Sequence, residues 1–147
     1  MSAIKSELSK KNKYWIPKHR YYELKHFCLQ YPEWRNLYFS LGDGSSVDLA
    51  KPRGSNESIE WRDPVYDAVV SRRYYKKCMY AVEQASKMPE DELSRFLLTA
   101  VTEGLSYTSM RMVHSIPCGR EMFYKRYRRF FWILDRILRS NTQVSEI

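Results

Sequence analysis

Between Gly119 and Arg139 the chain places seven basic residues (Arg120, Lys125, Arg126, Arg128, Arg129, Arg136 and Arg139) against two acidic ones (Glu121 and Asp135), a local net of +5. Guanidinium and ammonium groups at this density neutralise phosphates, and arginine or lysine also donates to the O6 and N7 edge of guanine. Glu121 adds an acceptor suited to cytosine N4, and Tyr124 a hydroxyl suited to a phosphate. The same stretch sorts its residues with helical period. Advancing about 100° per residue, Phe123, Tyr127, Phe130, Phe131, Leu134, Ile137 and Leu138 share one arc, and Glu121, Lys125, Arg128, Arg129, Trp132 and Arg136 lie opposite. The spacing predicts a helix with a buried aromatic side and a basic outer side whose chemistry is contact with DNA. The alternative is a core helix whose basic side is only solvated.

Trp132 stands on the basic side, where solvation does not account for an indole. It is a candidate partner contact, and its ring is expected to pack on the N-terminal helices of the chain itself, on a partner subunit or on RNA polymerase. Burial within the chain's own fold is the commoner fate of such a residue.

Elements that position this helix follow from breakers and caps. Ser106 is an N-cap for a short helix with Met110 and Val113 facing inward. A tight break at Ser115-Ile116-Pro117-Cys118-Gly119 then ends it, with Ile116 as a plug between two helices and Cys118 or Gly119 as the next N-cap. Two helices at a steep angle joined in this way make a helix-turn-helix, here at 106–138, whose second helix starts near Gly119.

Upstream, residues 1–13 read as a flexible basic arm and 14–41 as an aromatic helical hairpin. Pro17 opens a helix over 18–31, with Tyr21, Leu24, Phe27, Cys28 and Tyr31 on one side. Pro32 opens a second, carrying Trp34, Leu37, Tyr38 and Leu41 and stopping at Gly42. Residues 42–60 hold three of the five glycines and four of the sixteen serines, with no period of either two or 3.6, and read as a loop. Within the helical domain 61–139, Asp63-Pro64 starts a long central helix to Lys87 with two apolar strips, Ala68-Tyr75-Met79-Val82 and Tyr74-Cys78-Ala81-Ala85. Those strips fit packing on two sides or against a second copy. Its Arg72, Arg73, Lys76 and Lys77 read as a solvated face. Pro89 begins another helix with Glu90, Asp91 and Glu92 in its first turn and Leu93, Phe96, Leu97, Ala100 and Val101 inward, closed by Gly104. Residues 140–147 read as a polar, fraying tail. No stretch alternates with period two, so the fold class is all-α: N-terminal helical hairpin, long central helix and C-terminal helix-turn-helix bundle.

The whole chain has 147 residues, 44% hydrophobic and 15% aromatic, enough for one ordinary domain or a small domain with an appended arm. A net charge of +8 implies an anionic partner, nucleic acid before membrane. No run approaches the ~18 apolar residues of a membrane span. Cys28, Cys78 and Cys118 are odd in number, without C-x-x-C spacing or a secretory signal, which fits a reducing cytoplasm and predicts three core thiols. His19, His26 and His114 do not combine with them at metal-ligand spacing. No nucleophile–base pair, phosphate-cradling glycine loop or carboxylate cluster is visible, so neither an enzyme nor a cofactor is expected.

Three segments, YYELKHFCLQYPEW (21–34), VTEGLSYTSMRMV (101–113) and IPCGREMFYKRYRRFFWILDR (116–136), resemble the small phage and prophage transcriptional regulators of the RinA and ArpU group of Firmicutes. Those activators of late, packaging and lysis genes carry a C-terminal helix-turn-helix similar to sigma factor region four. The resemblance spans residues 14–138. It implies a sequence-specific regulator that reads the major groove of double-stranded DNA in the bacterial cytoplasm, with Arg120, Glu121, Tyr124, Lys125, Arg128 and Arg129 as DNA-reading and phosphate-contacting side chains. Host RNA polymerase and a homodimer partner are the further partners this reading admits. One departure is that the usual turn has a glycine before the inward apolar residue, where this chain has Ser115 before Ile116. The competing reading is a phage DNA-packaging or assembly factor using the same motif within an oligomer.

Overall fold

The structure, a computed structural model, describes residues 11–41 and 63–145, and all regular structure among them is helical. The expected arm, except its last residues, and the expected 42–60 loop lie outside the described residues. By contact, the described residues fall into two compact units, one drawn from Met1–Pro32 and Tyr80–Ile147, the other from Glu33–Met79. These boundaries differ from the sequence divisions at 14–41 and 61–139, because residues 14–32 pack with the C-terminal helices.

In the first unit, α1 (Lys18–Leu29) follows Pro17, whose carbonyl accepts the Tyr21 N–H at 2.9 Å. Tyr21, Leu24 and Cys28 recur at three and four residues and are buried. α1 stops two residues before the expected end at 31: Gln30 returns its N–H to the carbonyls of Phe27 and Cys28, and α2 (Tyr31–Leu41) begins at once. Tyr31 donates its hydroxyl to the Glu83 carboxylate.

α3 (Pro64–Ser86) starts as its sequence dictates. The Asp63 carboxylate accepts the N–H groups of Val65 at 3.0 Å and Tyr66 at 3.3 Å, satisfying donors that the first helical turn leaves open. Ala81, Val82, Ala85 and Ser86 at its end are buried in the first unit, and Ala68, Cys78 and Met79 are buried in its earlier part, as is Trp34 of α2. Tyr74, expected on an apolar strip, is exposed.

α4 (Ser94–Glu103) begins five residues later than Pro89. The intervening residues make a turn held by local side chains: the Asp91 carboxylate accepts the Leu93 N–H at 3.0 Å, and the Ser94 hydroxyl accepts the Asp91 N–H at 3.1 Å while donating to the Pro89 carbonyl. Asp and Ser compete with a helix in this way when their side chains bond nearby backbone. Glu90, Asp91 and Glu92 therefore precede α4. Leu97, Ala100 and Val101 face inward as expected, and Leu93 and Phe96 are half-buried. Gly104 ends α4 at φ 69°, where a Cβ would also stand 3.1 Å from Leu29 Cδ2. α5 (Tyr107–His114) and α6 (Arg120–Ser145) complete the unit. α6 continues through most of the segment expected as a tail, and it packs against α1, α4 and α5. Among the described residues, no helix is long and apolar enough to cross a membrane.

Candidate nucleic-acid interface

α6 owes its position to a wide buried arc. Phe123, Tyr124, Tyr127, Phe130, Phe131, Ile133 and Leu134 are buried together with Arg126 and Asp135. At 100° per residue these cover roughly 200° of the wheel, more than a one-sided stripe, because three helices contact α6 instead of one. The aromatic rings meet edge-on, with centroids 5.0 Å apart for Tyr127 and Phe131 and 4.9 Å for Phe130 and Phe131, a geometry their quadrupoles favour. Ile137 and Leu138, expected in the stripe, are half-buried.

The break before α6 is built from α5. Ser106 caps α5 by accepting the Ser109 N–H at 3.2 Å. At the other end Ser115 takes the left-handed conformation, φ 53° and ψ 46°, and both it and Ile116 direct their N–H groups to the Met110 carbonyl. This is the backbone shape that a glycine supplies without strain, here adopted by serine. Ile116 then drops into the core beside Met110. Two side chains of α5 hold the carbonyls that follow: Arg111 Nη1 donates to Ile116 O at 3.1 Å and the Tyr107 hydroxyl to Cys118 O at 2.7 Å. Gly119 stands before α6, its carbonyl accepting the Phe123 N–H, with open space where a Cβ would lie.

The six side chains expected to touch DNA divide by environment. Glu121 and Lys125 are exposed and Arg128 is half-buried; none of the three forms an ion pair among the described residues, although Glu121 and Lys125 are one turn apart. Arg120 is exposed but engaged, donating from Nη2 to Thr108 Oγ1 at 3.2 Å with its guanidinium 5.3 Å from the centre of the Tyr107 ring. Arg129 lies 5.7 Å from the centre of the Tyr14 ring. Tyr124 does not belong with them. Only 7% of it is exposed, its hydroxyl accepts the Tyr107 N–H at 3.3 Å, and its ring meets Phe123 at 4.9 Å. It anchors the head of α5, and its turn of the wheel is covered because α5 packs beside the arc that period alone assigns to the core.

Trp132 packs within its own chain. It meets Tyr14 edge-on at 5.3 Å, and Arg136 lies 4.7 Å from its ring centre. Two further basic residues of α6 are used internally. Arg126, 8% exposed, donates to Asp91 Oδ2 at 2.7 Å and Pro89 O at 3.2 Å. Its guanidinium holds the Asp91 carboxyl below the usual carboxylate range. Arg139 and Arg20 share the two oxygens of Asp135, at 3.0 and 2.6 Å.

α5 adds surface that period did not assign to it. Val113, expected inward, is 72% exposed, and Met112 is 79% exposed, so Met110 alone of the apolar residues of this short helix is buried. With His114 they border the break, on the helix that precedes α6. Eight residues give only two turns, too few for a repeat to fix a face; the position of Ile116 is the stronger signal.

Of the thiols, Cys28 and Cys78 are buried and Cys118 is half-buried in the break. Burial pushes all three up from their ordinary value, so none is poised as a thiolate. Among the described residues, no three of His, Cys, Asp or Glu are grouped to hold a metal ion. No protein-family model matches this chain, and neither a curated protein nor a solved structure does.

Proposed function

We propose that the chain is a sequence-specific DNA-binding regulator of transcription that docks α5, Ser115–Gly119 and α6 on double-stranded DNA as a helix-turn-helix. The observation that carries this reading is the pairing state of the cations on α6. Arg126 and Arg139 are neutralised internally, whereas Lys125 and Arg128 carry no carboxylate partner among the described residues on a helix anchored along its other side. An outward cation without a partner is the group that a phosphate or a guanine edge completes.

In this arrangement the first turns of α6 enter the major groove and α5 lies across the backbone. Lys125 and Arg128 neutralise phosphates or donate to guanine, and Glu121 accepts from cytosine N4. Arg120, already directed by Thr108 and Tyr107, reaches a phosphate at the edge of the groove. Ser115 supports the reading, since the left-handed residue before the inward Ile116 stands where the turns of the group that the chain resembles carry glycine. The assignment to phage or prophage late, packaging or lysis genes, in a bacterial cytoplasm, rests on the resemblance to the RinA and ArpU group.

Chromatin pull-down from a bacterial host, with sequencing, tests it. The wild-type chain is expected to enrich discrete sites and the Lys125→Ala/Arg128→Ala variant to lose them. Equal enrichment by both chains, or no site in either, sinks the proposal.

A further inference from the structure

The second unit carries a cleft of its own. Val69, Arg72, Arg73 and Lys76 of α3 line it from one side and Tyr38 of α2 from the other, framing an open hollow of about 270 Å³. The α3 residues recur at three and four positions, so they form one stripe with Val69 at its start. No carboxylate is among the described lining residues.

Arg72 is fixed in place. Its guanidinium lies 4.0 Å over the centre of the Tyr38 ring and its Nε donates to Tyr38 O at 3.3 Å. Arg73 and Lys76 are exposed and form no ion pair among the described residues. Four cations, Arg72, Arg73, Lys76 and Lys77, occupy six consecutive positions, and like charges three or four apart on a helix repel. A bound anion relieves that repulsion. The cleft falls short of the ~300–1,000 Å³ that encloses a small molecule, so it suits a group presented on a surface. One guanidinium held against the Tyr38 ring and two exposed cations without a carboxylate partner among the described residues match a run of phosphodiesters.

We infer that this cleft is a second DNA-backbone contact, separate from α6 and indifferent to base sequence. The inference rests on the proposed function only for duplex DNA as the partner; its residues are independent of α5 and α6. Arg72, braced by Tyr38, positions the strand, and Arg73 and Lys76 neutralise its phosphates.

The full chain is titrated with a duplex of scrambled sequence across a range of salt concentrations. Each neutralised phosphate contributes about 0.9 to the slope of log K against log salt, so Arg73→Ala/Lys76→Ala should lower its magnitude by about 1.8. The charge-retaining Arg73→Lys/Lys76→Arg pair should keep it. Both sites are exposed and their charges repel, so the thermal unfolding midpoint should not fall and should rise slightly in the alanine pair. Arg72 is left intact because it holds Tyr38. A slope unchanged in the alanine pair, while Lys125→Ala/Arg128→Ala lowers it, overturns the cleft and leaves α6 as the DNA-reading helix. A slope lowered in the alanine pair and unchanged in Lys125→Ala/Arg128→Ala upholds the cleft and removes α6. No change in either overturns both.

Discussion

The turn at Pro89–Leu93 and the outer side of α6 each meet a cation from the same stretch of that helix, Arg126 in one case and Lys125 in the other. Arg126 is enclosed and bonded to a carboxylate and a carbonyl; Lys125, its neighbour in sequence, is exposed without an ion pair. One residue of rotation, about 100°, separates a cation that holds the fold from one available to a ligand. Counting basic residues along α6 therefore overstates the charge left for any ligand. What counts is which of them already have a carboxylate.

Breaking the inner contact should have the largest effect. Arg126→Ala removes two charge-assisted hydrogen bonds; Asp91 is partly exposed and regains water, which keeps the expected loss near 2 kcal/mol of unfolding free energy. Denaturant titration checks it, with the midpoint falling at an unchanged slope. The pH dependence gives a second reading. Because the Asp91 carboxyl is held below its ordinary 3.8 in the folded chain, its stabilisation is present above that value and disappears as pH falls through the folded value. The variant should lose this part of the acid limb; a limb identical to wild type would mean that Arg126 does not act through Asp91.

Tyr124→Phe sharpens the same division at a residue whose type suggested a ligand contact. It should cost about 1 kcal/mol through loss of the acceptor for the Tyr107 N–H, with DNA affinity of the folded chain unchanged. A drop in affinity without a drop in stability would return Tyr124 to the outer surface. The smallest change is expected between the two regions, at the break. Ser115→Gly removes the Cβ penalty of a left-handed residue against a larger entropy of the unfolded chain, for a net gain of about 0.5 kcal/mol, readable as a rise in Tm.

These residues also mark what could be read in sequence. The aromatic stripe of α6, the Asp63-Pro64 start of α3, the Gly104 stop and the plug at Ile116 are local: spacing, caps and breakers determine them within a few residues. The delayed start of α4 is only partly local: Asp91 and Ser94 bond the nearby backbone, and Arg126 adds a bond to Asp91 from 35 residues away. Tyr124 is buried where a DNA contact is expected, since a wheel gives the direction of a side chain but not how many helices pack around it. Val113 is exposed because the two turns of α5 are too few for a repeat to fix a face. The cations of α3 are exposed at Arg73, Lys76 and Lys77, as a solvated face requires; the contact of Arg72 with Tyr38 is not legible locally because the two are 34 residues apart.

The break between α5 and α6 has a thermodynamic consequence. Met110, Arg111 and Tyr107 secure the backbone at Ser115, Ile116 and Cys118, so the five residues Ser115–Gly119 are ordered before any partner arrives. Fixing a residue's backbone costs about 1–2 kcal/mol of conformational entropy. For this segment that loss occurs at folding and does not recur on association. If α5 and α6 dock on DNA as proposed, this segment adds no folding-on-contact contribution to the heat capacity change of binding.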